Sequence, residues 1–358
     1  MKILVVGPIC SPIISRLVRH LKDAGNEVLI ASFDAESQDG VLNLGKLSSY
    51  LNYFNFFKIR KIVRLFNPDL VHAHIVNHYG LMCLFQPRPL VVALWGSDVM
   101  LAPHQGNFLK KRIYQLINFA VLKKATRCHT SGHHVAEEAN RQYGKSSSKT
   151  DVFYWGFPID KPSESNLKLA AARMEKEFGM TQGNYLVFPR GLGEIYNPEA
   201  VAKIINKLII EVVEPKRVVV LKGFSSVFDE NRFKERVDTS SIIYVNRILN
   251  SDELYYLYSK TSIHFSIPHS DSLGGGVVEP ALFGSFPVLS NIPSYVRYSE
   301  KHISYILRDY SDVSLRDLCE LIRLKKIYHS PANVPFEYAL TNVVEKILNI
   351  YKQALVKH

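Results

Sequence analysis

The chain has 358 residues, of which 47% are hydrophobic and 22% charged. This length and composition fit two globular domains and exclude a disordered or low-complexity protein, apart from the short polar run Ser146–Ser148. The net charge is +11, with most of the basic surplus in residues 1–165, so the surface should attract phosphates, but the absence of a nucleic-acid-binding motif disfavours DNA or RNA as a partner.

Cysteine usage and hydropathy indicate a cytoplasmic protein without a membrane span. The cysteines show neither metal-ligand nor redox spacing, which fits a reducing compartment. No apolar run is long enough to cross a bilayer. Pro8 and Pro12 interrupt the apolar run that begins with Met1–Val6, and no clear cleavage site follows, so we interpret this start as a buried strand rather than a signal peptide. The four cysteines are Cys10, Cys83, Cys128 and Cys319.

The first half alternates strand-like and helix-like segments. Strand, helix and strand at this spacing predict parallel βαβ units and hence a doubly wound α/β domain. We predict strands at Lys2–Val6, Glu27–Ser32, Leu70–Ala73, Leu90–Leu94, Arg127–Thr130 and Asp151–Tyr154, and helices at Arg16–Ala24, Ile59–Phe66 and Phe108–Lys124.

A second series of the same kind follows the polar stretch Asp160–Asn166, which we interpret as a linker. The predicted domains are therefore residues 1–160 and 161–338, facing each other across a cleft, with residues 339–358 as a helix that packs back toward the first domain. We predict strands at Tyr185–Phe188, Arg217–Leu221, Ile242–Val245, Ile263–Ser266 and Phe286–Leu289, and helices at Pro198–Ile210, Asp252–Ser259, Gly276–Phe283 and Ala339–Leu355.

The segment Asp271–Glu279 is the most informative part of the sequence. It follows a predicted strand and contains Gly274, Gly275 and Gly276 before a helix, so backbone N–H groups can approach an anionic ligand closely. The carboxylates at its two ends can accept hydrogen bonds from hydroxyl groups. This combination suits a nucleotide sugar. The alternative is a glycine-rich turn before a buried helix, with Glu279 on a solvated face.

Several segments together resemble the retaining GT-B glycosyltransferases of the family 4 group. This family has two acidic residues separated by seven others, then a helix of small residues, a Gly and Pro-Val. The similarity covers most of residues 1–300. The matching segments are Asp271–Asn291, Asn67–His74, Leu94–Asp98, Ser251–Ser259 and Tyr154–Asp160.

The resemblance implies a role for each matching residue of the second domain. Glu279 would bind the ribose hydroxyls and Asp271 the hydroxyls of the transferred sugar. Arg190 would stabilise the departing phosphate, against the alternative of a surface ion pair, and the backbone of Leu249 would meet the base. The loop that would face the sugar and diphosphate comprises Ser272, Leu273, Gly274 and Gly275.

The sequence departs from the family pattern at several positions. Asp271 stands where Glu is usual. Ile195 aligns with the phosphate-binding Lys, so Lys222 is a candidate substitute, unless Tyr196-Asn197 supplies neutral donors instead. Trp95 stands where many members have His, and the loop Gly7–Pro12 lacks the usual Gly-Gly pair.

In the first domain, His74 and Asp98 follow predicted strands and should face the cleft. We expect His74 to contact the sugar and Asp98 to orient the acceptor or its loop, while Ser11 and Trp95 would bind the acceptor. A hydrogen-bonded core histidine is the alternative for His74. His129, His133 and His134 cluster without the carboxylate spacing of a metal site.

Basic and aromatic residues alternate in two segments of the first half, Tyr50–Phe66 and Phe108–Arg127. Such helices can lie on an anionic membrane. The alternative is that the aromatic residues are core and the basic residues a solvated face. We expect a lipid-linked saccharide acceptor and a location at the inner face of the cell membrane.

The function expected from the resemblance is retaining sugar transfer from a nucleotide-diphosphate sugar to a saccharide acceptor, in cell-surface polysaccharide or lipopolysaccharide assembly. No metal or other cofactor is expected. The alternatives are a non-catalytic, transferase-like partner subunit and a nucleotide-sugar epimerase of the same fold. A dehydrogenase is disfavoured because Gly7–Pro12 lacks the Gly-x-Gly-x-x-Gly pattern.

Overall fold

The computed structural model describes residues 1–33, 35, 40–46, 56–143, 149–154, 158–181, 183–212, 214, 216–223, 225–324 and 340–356. The polar run Ser146–Ser148, Tyr50–Asn55 and Trp155–Phe157, which belong to predicted features, lie outside these residues. The chain forms two compact units: Met1–Phe157 together with Phe336–His358, and Pro158–Pro335.

The first unit contains a seven-stranded sheet in which all paired strands are parallel. Its strand order is β3-β2-β1-β4-β5-β6-β7, the order of a doubly wound fold. The strands are β1 (Lys2–Val6), β2 (Glu27–Ser32), β3 (Val41–Asn43), β4 (Leu70–His74), β5 (Leu90–Ala93), β6 (Arg127–Thr130) and β7 (Thr150–Val152).

Helices cover both faces of this sheet, because alternate residues of its buried strands point to opposite sides. Leu4 and Val6 belong to a core with α2, α4 and α5, whereas Ile3 and Val5 belong to a core with α1 and the last helix of the chain. The helices are α1 (Pro12–Asp23), α2 (Phe56–Phe66), the short α3 (Ser97–Met100), α4 (Phe108–Lys124) and α5 (His133–Tyr143), and a π-helix spans Ile75–Gly80.

The second unit repeats this architecture with six parallel strands in the order β10-β9-β8-β11-β12-β13. Its strands are β8 (Tyr185–Phe188), β9 (Val218–Leu221), β10 (Ile243–Val245), β11 (Thr261–Ser266), β12 (Phe286–Ser290) and β13 (Tyr305–Leu307). Its helices are α6 (Glu164–Phe178), α7 (Pro198–Glu211), α8 (Val227–Lys234), α9 (Ser251–Ser259), α10 (Gly275–Leu282), α11 (Pro293–Ser299) and α12 (Asp312–Arg323).

The last helix, α13 (Leu340–Val356), packs on the first sheet and contacts β4, β5, β6 and α1. Its buried side chains follow helical spacing and join the core that contains α1: Val343, Ile347, Ile350, Tyr351 and Ala354. The whole second unit, Pro158–Pro335, therefore lies in sequence between this helix and the first 157 residues of its own unit.

The predicted linker Asp160–Asn166 is wrong at its C-terminal end. Residues 164–166 form the first turn of α6, where the Ser163 side chain accepts a hydrogen bond from the backbone N–H of Asn166. The helix is hard to recognise because only Ala170 and Met174 are buried, so its apolar stripe is narrow. No helix in the described residues is long and apolar enough to cross a membrane.

Candidate functional site

The predicted donor residues gather at the carboxyl edge of the second sheet. β8 and β11 are neighbours, while their successors β9 and β12 lie on opposite sides of the pair. A reversal of this kind leaves a crevice beyond the strand ends in open α/β sheets. Arg190 follows β8 and Asp271 follows β11, although the two residues are 81 positions apart in sequence.

Arg190 and Asp271 form an ion pair, with 3.2 Å between the arginine Nη2 and the aspartate Oδ1. The guanidinium also lies over the Tyr196 ring, 4.8 Å from its centroid. Burial by itself lowers the pKa of Arg190, but the charge of Asp271 and the neighbouring Tyr196 outweigh burial and raise it. Arg190 therefore carries a permanent, oriented positive charge, and both partners of the ion pair are mostly buried, which argues against an ordinary surface pair.

The glycine loop lies directly against Arg190. A Cβ atom at Gly274 would overlap Nη1 of Arg190, and one at Gly276 would overlap its Cδ. Leu273 adopts a positive φ of 72°, which is costly for a non-glycine residue outside a constrained site. Glycine at positions 274 and 276 therefore lets the arginine side chain lie directly against the loop. Ser272 of the same loop is buried.

Glu279 lies inside α10 and is only 6% exposed. A Cβ at Gly275 would stand 3.2 Å from its carboxylate Oε1, so the carboxylate is packed next to the start of the helix. The interpretation that Glu279 lies on a solvated face is therefore wrong. A buried carboxylate near a helix start is suited to accept hydrogen bonds.

Lys222 and Leu249 follow β9 and β10 of the same sheet. The Lys222 Nζ lies 2.6 Å from Glu230 Oε1 of α8, so in this arrangement its charge is paired. Leu249 is buried in a core that includes Tyr258 and Val245. The backbone oxygen of Ile195 accepts a hydrogen bond from the His269 N–H at 2.9 Å, and this apolar side chain supplies no cation.

In the first unit, the corresponding edge contains Ser11, His74, Trp95 and Asp98. The Asp98 carboxylate accepts hydrogen bonds from the backbone N–H groups of Val76 at 2.8 Å and Trp95 at 3.0 Å. It is buried, and burial raises its pKa to about 6 despite these hydrogen bonds. Asp98 thus links the backbone of the segments after β4 and β5, while its expected role in orienting the acceptor or its loop stays a prediction.

His74 is buried at the end of β4 and accepts a hydrogen bond at Nδ1 from the Trp95 indole N–H, 3.4 Å away. A Cβ at Gly7 would come within 3.1 Å of the His74 side chain, so the loop after β1 packs against this ring. Ser11 is the residue immediately before α1. The role of these residues in binding sugar or acceptor stays a prediction.

Two further histidines extend this cluster into the domain. His72 Nδ1 lies 2.7 Å from the Tyr351 hydroxyl of α13, and His72 Nε2 lies 3.0 Å from His129 Nε2. The rings of His72 and His74 are tilted relative to each other by 41°, with 4.2 Å between their centroids. Burial, with the neighbouring histidines, holds the pKa of His72 well below its usual value, and burial lowers the pKa of His129 to about 3. Burial, with the neighbouring His129, also holds the pKa of His74 well below its usual value, so all three rings are neutral at physiological pH.

Sequence reasoning missed Tyr295, whose hydroxyl lies 2.7 Å from Asp271 Oδ2. This residue lies in α11, beyond the end of the recognised motif, and only its spacing after Pro293 could have suggested a helix there. Ser294 was missed for the same reason; its hydroxyl donates to the Asp271 backbone oxygen at 2.7 Å. Both residues reach the site because β12 lies beside β11.

Comparison with known proteins gives a family match over the first part of the chain. Residues 2–128 match the family model described as glycosyl transferase 4-like. No curated protein sequence matches the chain at a significant level.

Three solved structures illustrate the likeness in fold. Sucrose-phosphate synthase from Thermosynechococcus elongatus has a TM-score of 0.78 at 10% identity, with 100% of both chains covered. Anabaena HepE in complex with UDP-glucose has a TM-score of 0.75 at 13% identity, and the alignment covers 98% of this chain and 99% of the HepE chain. A glycosyltransferase from Rickettsia africae has a TM-score of 0.68 at 16% identity, and the alignment covers 99% of this chain and 98% of the Rickettsia chain.

The two doubly wound units and these neighbours define the GT-B fold of glycosyltransferases. Within that class, the match to the glycosyl transferase 4-like model covers residues 2–128, which lie in the first unit. The predicted fold class and the predicted resemblance to GT-B glycosyltransferases are confirmed, whereas retention of the anomeric configuration stays a prediction.

Proposed function

We propose that the protein is a retaining glycosyltransferase that takes a sugar from a nucleotide-diphosphate donor and passes it to a saccharide acceptor without a metal ion. The observation that carries this proposal is the Arg190–Asp271 ion pair against the glycine loop. The likeness to HepE, which was solved with UDP-glucose, supports a nucleotide-sugar donor.

In this proposal Arg190 faces the diphosphate. A guanidinium matches phosphate oxygens in a bidentate manner, and its fixed charge stabilises the negative charge that builds on the leaving phosphate. The backbone N–H groups of the glycine loop add neutral donors, and Glu279 accepts hydrogen bonds from the ribose hydroxyls. Front-face displacement, with the leaving phosphate oxygen taking the acceptor proton, would retain the anomeric configuration and needs mainly positioning and charge stabilisation from the protein.

Binding of nucleoside diphosphates tests the donor site. We expect UDP or GDP to raise the melting temperature in a concentration-dependent manner. Arg190→Gln should weaken that binding about 10- to 100-fold, as expected for loss of a charge-assisted hydrogen bond. Arg236→Gln is the matched control, because this exposed arginine pairs with Glu199 instead. If neither nucleotide nor its sugar conjugates shift the melting temperature, the proposed donor site is wrong.

Turnover separates this proposal from its alternatives. Transfer that requires an acceptor, and that falls about 100-fold or more in Arg190→Gln, supports the transferase. Conversion of a nucleotide sugar without an acceptor would instead identify an epimerase. Nucleotide binding with no conversion of any kind would favour a non-catalytic partner subunit.

We further propose that the acceptor is lipid-linked, as in polysaccharide or lipopolysaccharide assembly, and that α4 docks on the inner face of the cell membrane. Phe108, Leu109 and Leu116 of this helix are 74%, 67% and 68% exposed. Its charged residues are all basic, and the Arg112 guanidinium lies over the Phe108 ring at 5.2 Å. Exposed apolar side chains among cations suit an anionic bilayer.

The exposed residues of α2 support the same surface. Phe57 and Leu65 are largely exposed, and the basic residues of this helix are not balanced by any acidic one. Both α2 and α4 belong to the same core and therefore cover the same face of the sheet. A membrane partner fits this combination better than a solvated surface, which would carry fewer exposed apolar residues.

Sedimentation with vesicles of phosphatidylcholine and phosphatidylglycerol tests the docking surface. The double change Leu109→Glu and Leu116→Glu should abolish binding at low salt. Leu169→Glu in α6 is the matched control, since Leu169 is also exposed (57%) but lies in the second unit. Equal sedimentation of the double variant and the wild type would contradict docking through α4.

A further inference from the structure

The carboxylate of Asp271 is occupied by the protein's own groups. Its Oδ1 accepts from Arg190 Nη2 at 3.2 Å, and its Oδ2 accepts from the Gly274 backbone N–H at 2.8 Å and the Tyr295 hydroxyl at 2.7 Å. An ionised carboxylate offers about four acceptor positions, and three are used here. The family resemblance gives this position to the sugar hydroxyls, but the shorter Asp side chain is turned toward its neighbours.

Tyr295 is fully buried and its hydroxyl has two partners. It donates to Asp271 and lies 2.7 Å from the Ser266 hydroxyl at the end of β11. Burial, together with the negative charge of Asp271, raises the pKa of Tyr295 well above its usual value. The hydroxyl therefore keeps its proton at any physiological pH, and its direction is fixed by the strand on one side and the carboxylate on the other.

Arg190 is in turn enclosed on several sides. Tyr196 covers one face of the guanidinium, the glycine loop lies against its edge, and Asp271 holds Nη2. Among these groups, Asp271 is the charged one, so the orientation of the arginine depends on the orientation of that carboxylate.

We propose that Tyr295 is a positioning residue that acts through Asp271 to orient Arg190 toward the donor diphosphate, and that Asp271 serves the arginine rather than the transferred sugar. This inference rests on the proposed donor site. It gives α11, which lies outside the acidic motif, a role in the donor site. It also predicts that Asp271 depends on the hydroxyl of Tyr295 for its orientation.

A double-mutant cycle tests this inference. Tyr295→Phe removes one hydroxyl and should weaken binding of UDP or GDP, measured by titration calorimetry, about tenfold in the wild-type background. In an Arg190→Lys background the same change should have less than a twofold effect, because the bidentate group that Tyr295 orients is already gone. Equal effects in both backgrounds would overturn the inference.

Tyr298→Phe is the matched control, because Tyr298 is another buried tyrosine of α11, and it packs against His302. It should leave nucleotide affinity unchanged. Ser266→Ala tests the same role in another way, since it removes the other hydrogen-bond partner of the Tyr295 hydroxyl. We expect it to lower nucleotide affinity about threefold in the wild-type background and to have no effect in the Arg190→Lys background. If wild-type protein binds neither nucleotide, the donor site itself fails; if it binds and the effects are additive, only the role of Tyr295 fails.

Discussion

Gly274 is the residue at which the candidate site is most sensitive to a single methyl group. Gly274→Ala would place the new Cβ on Nη1 of the Arg190 guanidinium, so the guanidinium must move away from its position beside the loop. We expect affinity for UDP or GDP to fall at least about tenfold, which corresponds to about 1.4 kcal/mol. Titration calorimetry on the folded variant measures this loss.

Gly183→Ala is the comparison, because its Cβ would meet only the Lys260 side chain at 3.9 Å, an ordinary contact. It should bind nucleotide like the wild type. If Gly274→Ala binds nucleotide as tightly as Gly183→Ala, the position of Arg190 beside the loop is not needed for nucleotide binding.

Some residues of the candidate site could be predicted from the sequence and others could not. Arg190, Asp271 and Glu279 could be predicted because strand ends and a motif mark them. Tyr295 could not, because its role depends on how long the side chain at position 271 is. The burial of Asp98 against two backbone N–H groups likewise depends on the π-helix after β4, which no local pattern indicates.

At the scale of elements, α13 shows how a distant segment completes a domain core. Ile347 is fully buried among residues of α1 and the first sheet. Ile347→Ala should lower the free energy of unfolding by about 2–5 kcal/mol, the usual cost of a cavity at a well-packed site. Urea denaturation measures the change.

Val356→Ala is the control for this helix, since Val356 is its last residue and is 87% exposed. Its effect should stay within about 0.5 kcal/mol. A similar small effect at position 347 would show that α13 contributes little to the stability of its unit.

Several buried strands and one capped helix were the elements whose bounds the sequence predicted best. The bounds of β1, β2, β6, β8 and α4 agree with the sequence prediction, because buried parallel strands are apolar runs and α4 begins at the capping residue Asn107. By contrast, α6 and α11 were missed, since one has a narrow apolar stripe and the other has seven residues.

For the whole molecule, the buried histidine cluster predicts lower stability in acid. Burial lowers the pKa of His129 to about 3, whereas the unfolded chain has about 6.5. The unfolded state thus binds more protons below pH 6.5, so stability falls as pH drops from about 6.5 toward 3. The contribution of this one residue is about 2 kcal/mol between pH 7 and 5.

Melting curves of His129→Gln and wild type at pH 7 and 5 test this expectation. The variant should lose less stability on acidification, by about 2 kcal/mol. His104→Gln, at an exposed position, should behave like the wild type. Asp98 acts in the opposite sense, because its raised pKa of about 6 favours the folded state in acid, but it is present in all three proteins and cancels in the comparison.

Cys10 lies in the loop after β1 and is exposed, whereas Cys83, Cys128 and Cys319 are buried. A maleimide dye should therefore attach at one place on the folded, unmodified chain. That place is near the predicted acceptor-binding Ser11 and in the loop that packs against His74. The protein thus carries its own attachment point for a fluorophore that senses polarity, and acceptor candidates could be screened by emission without first introducing a label site.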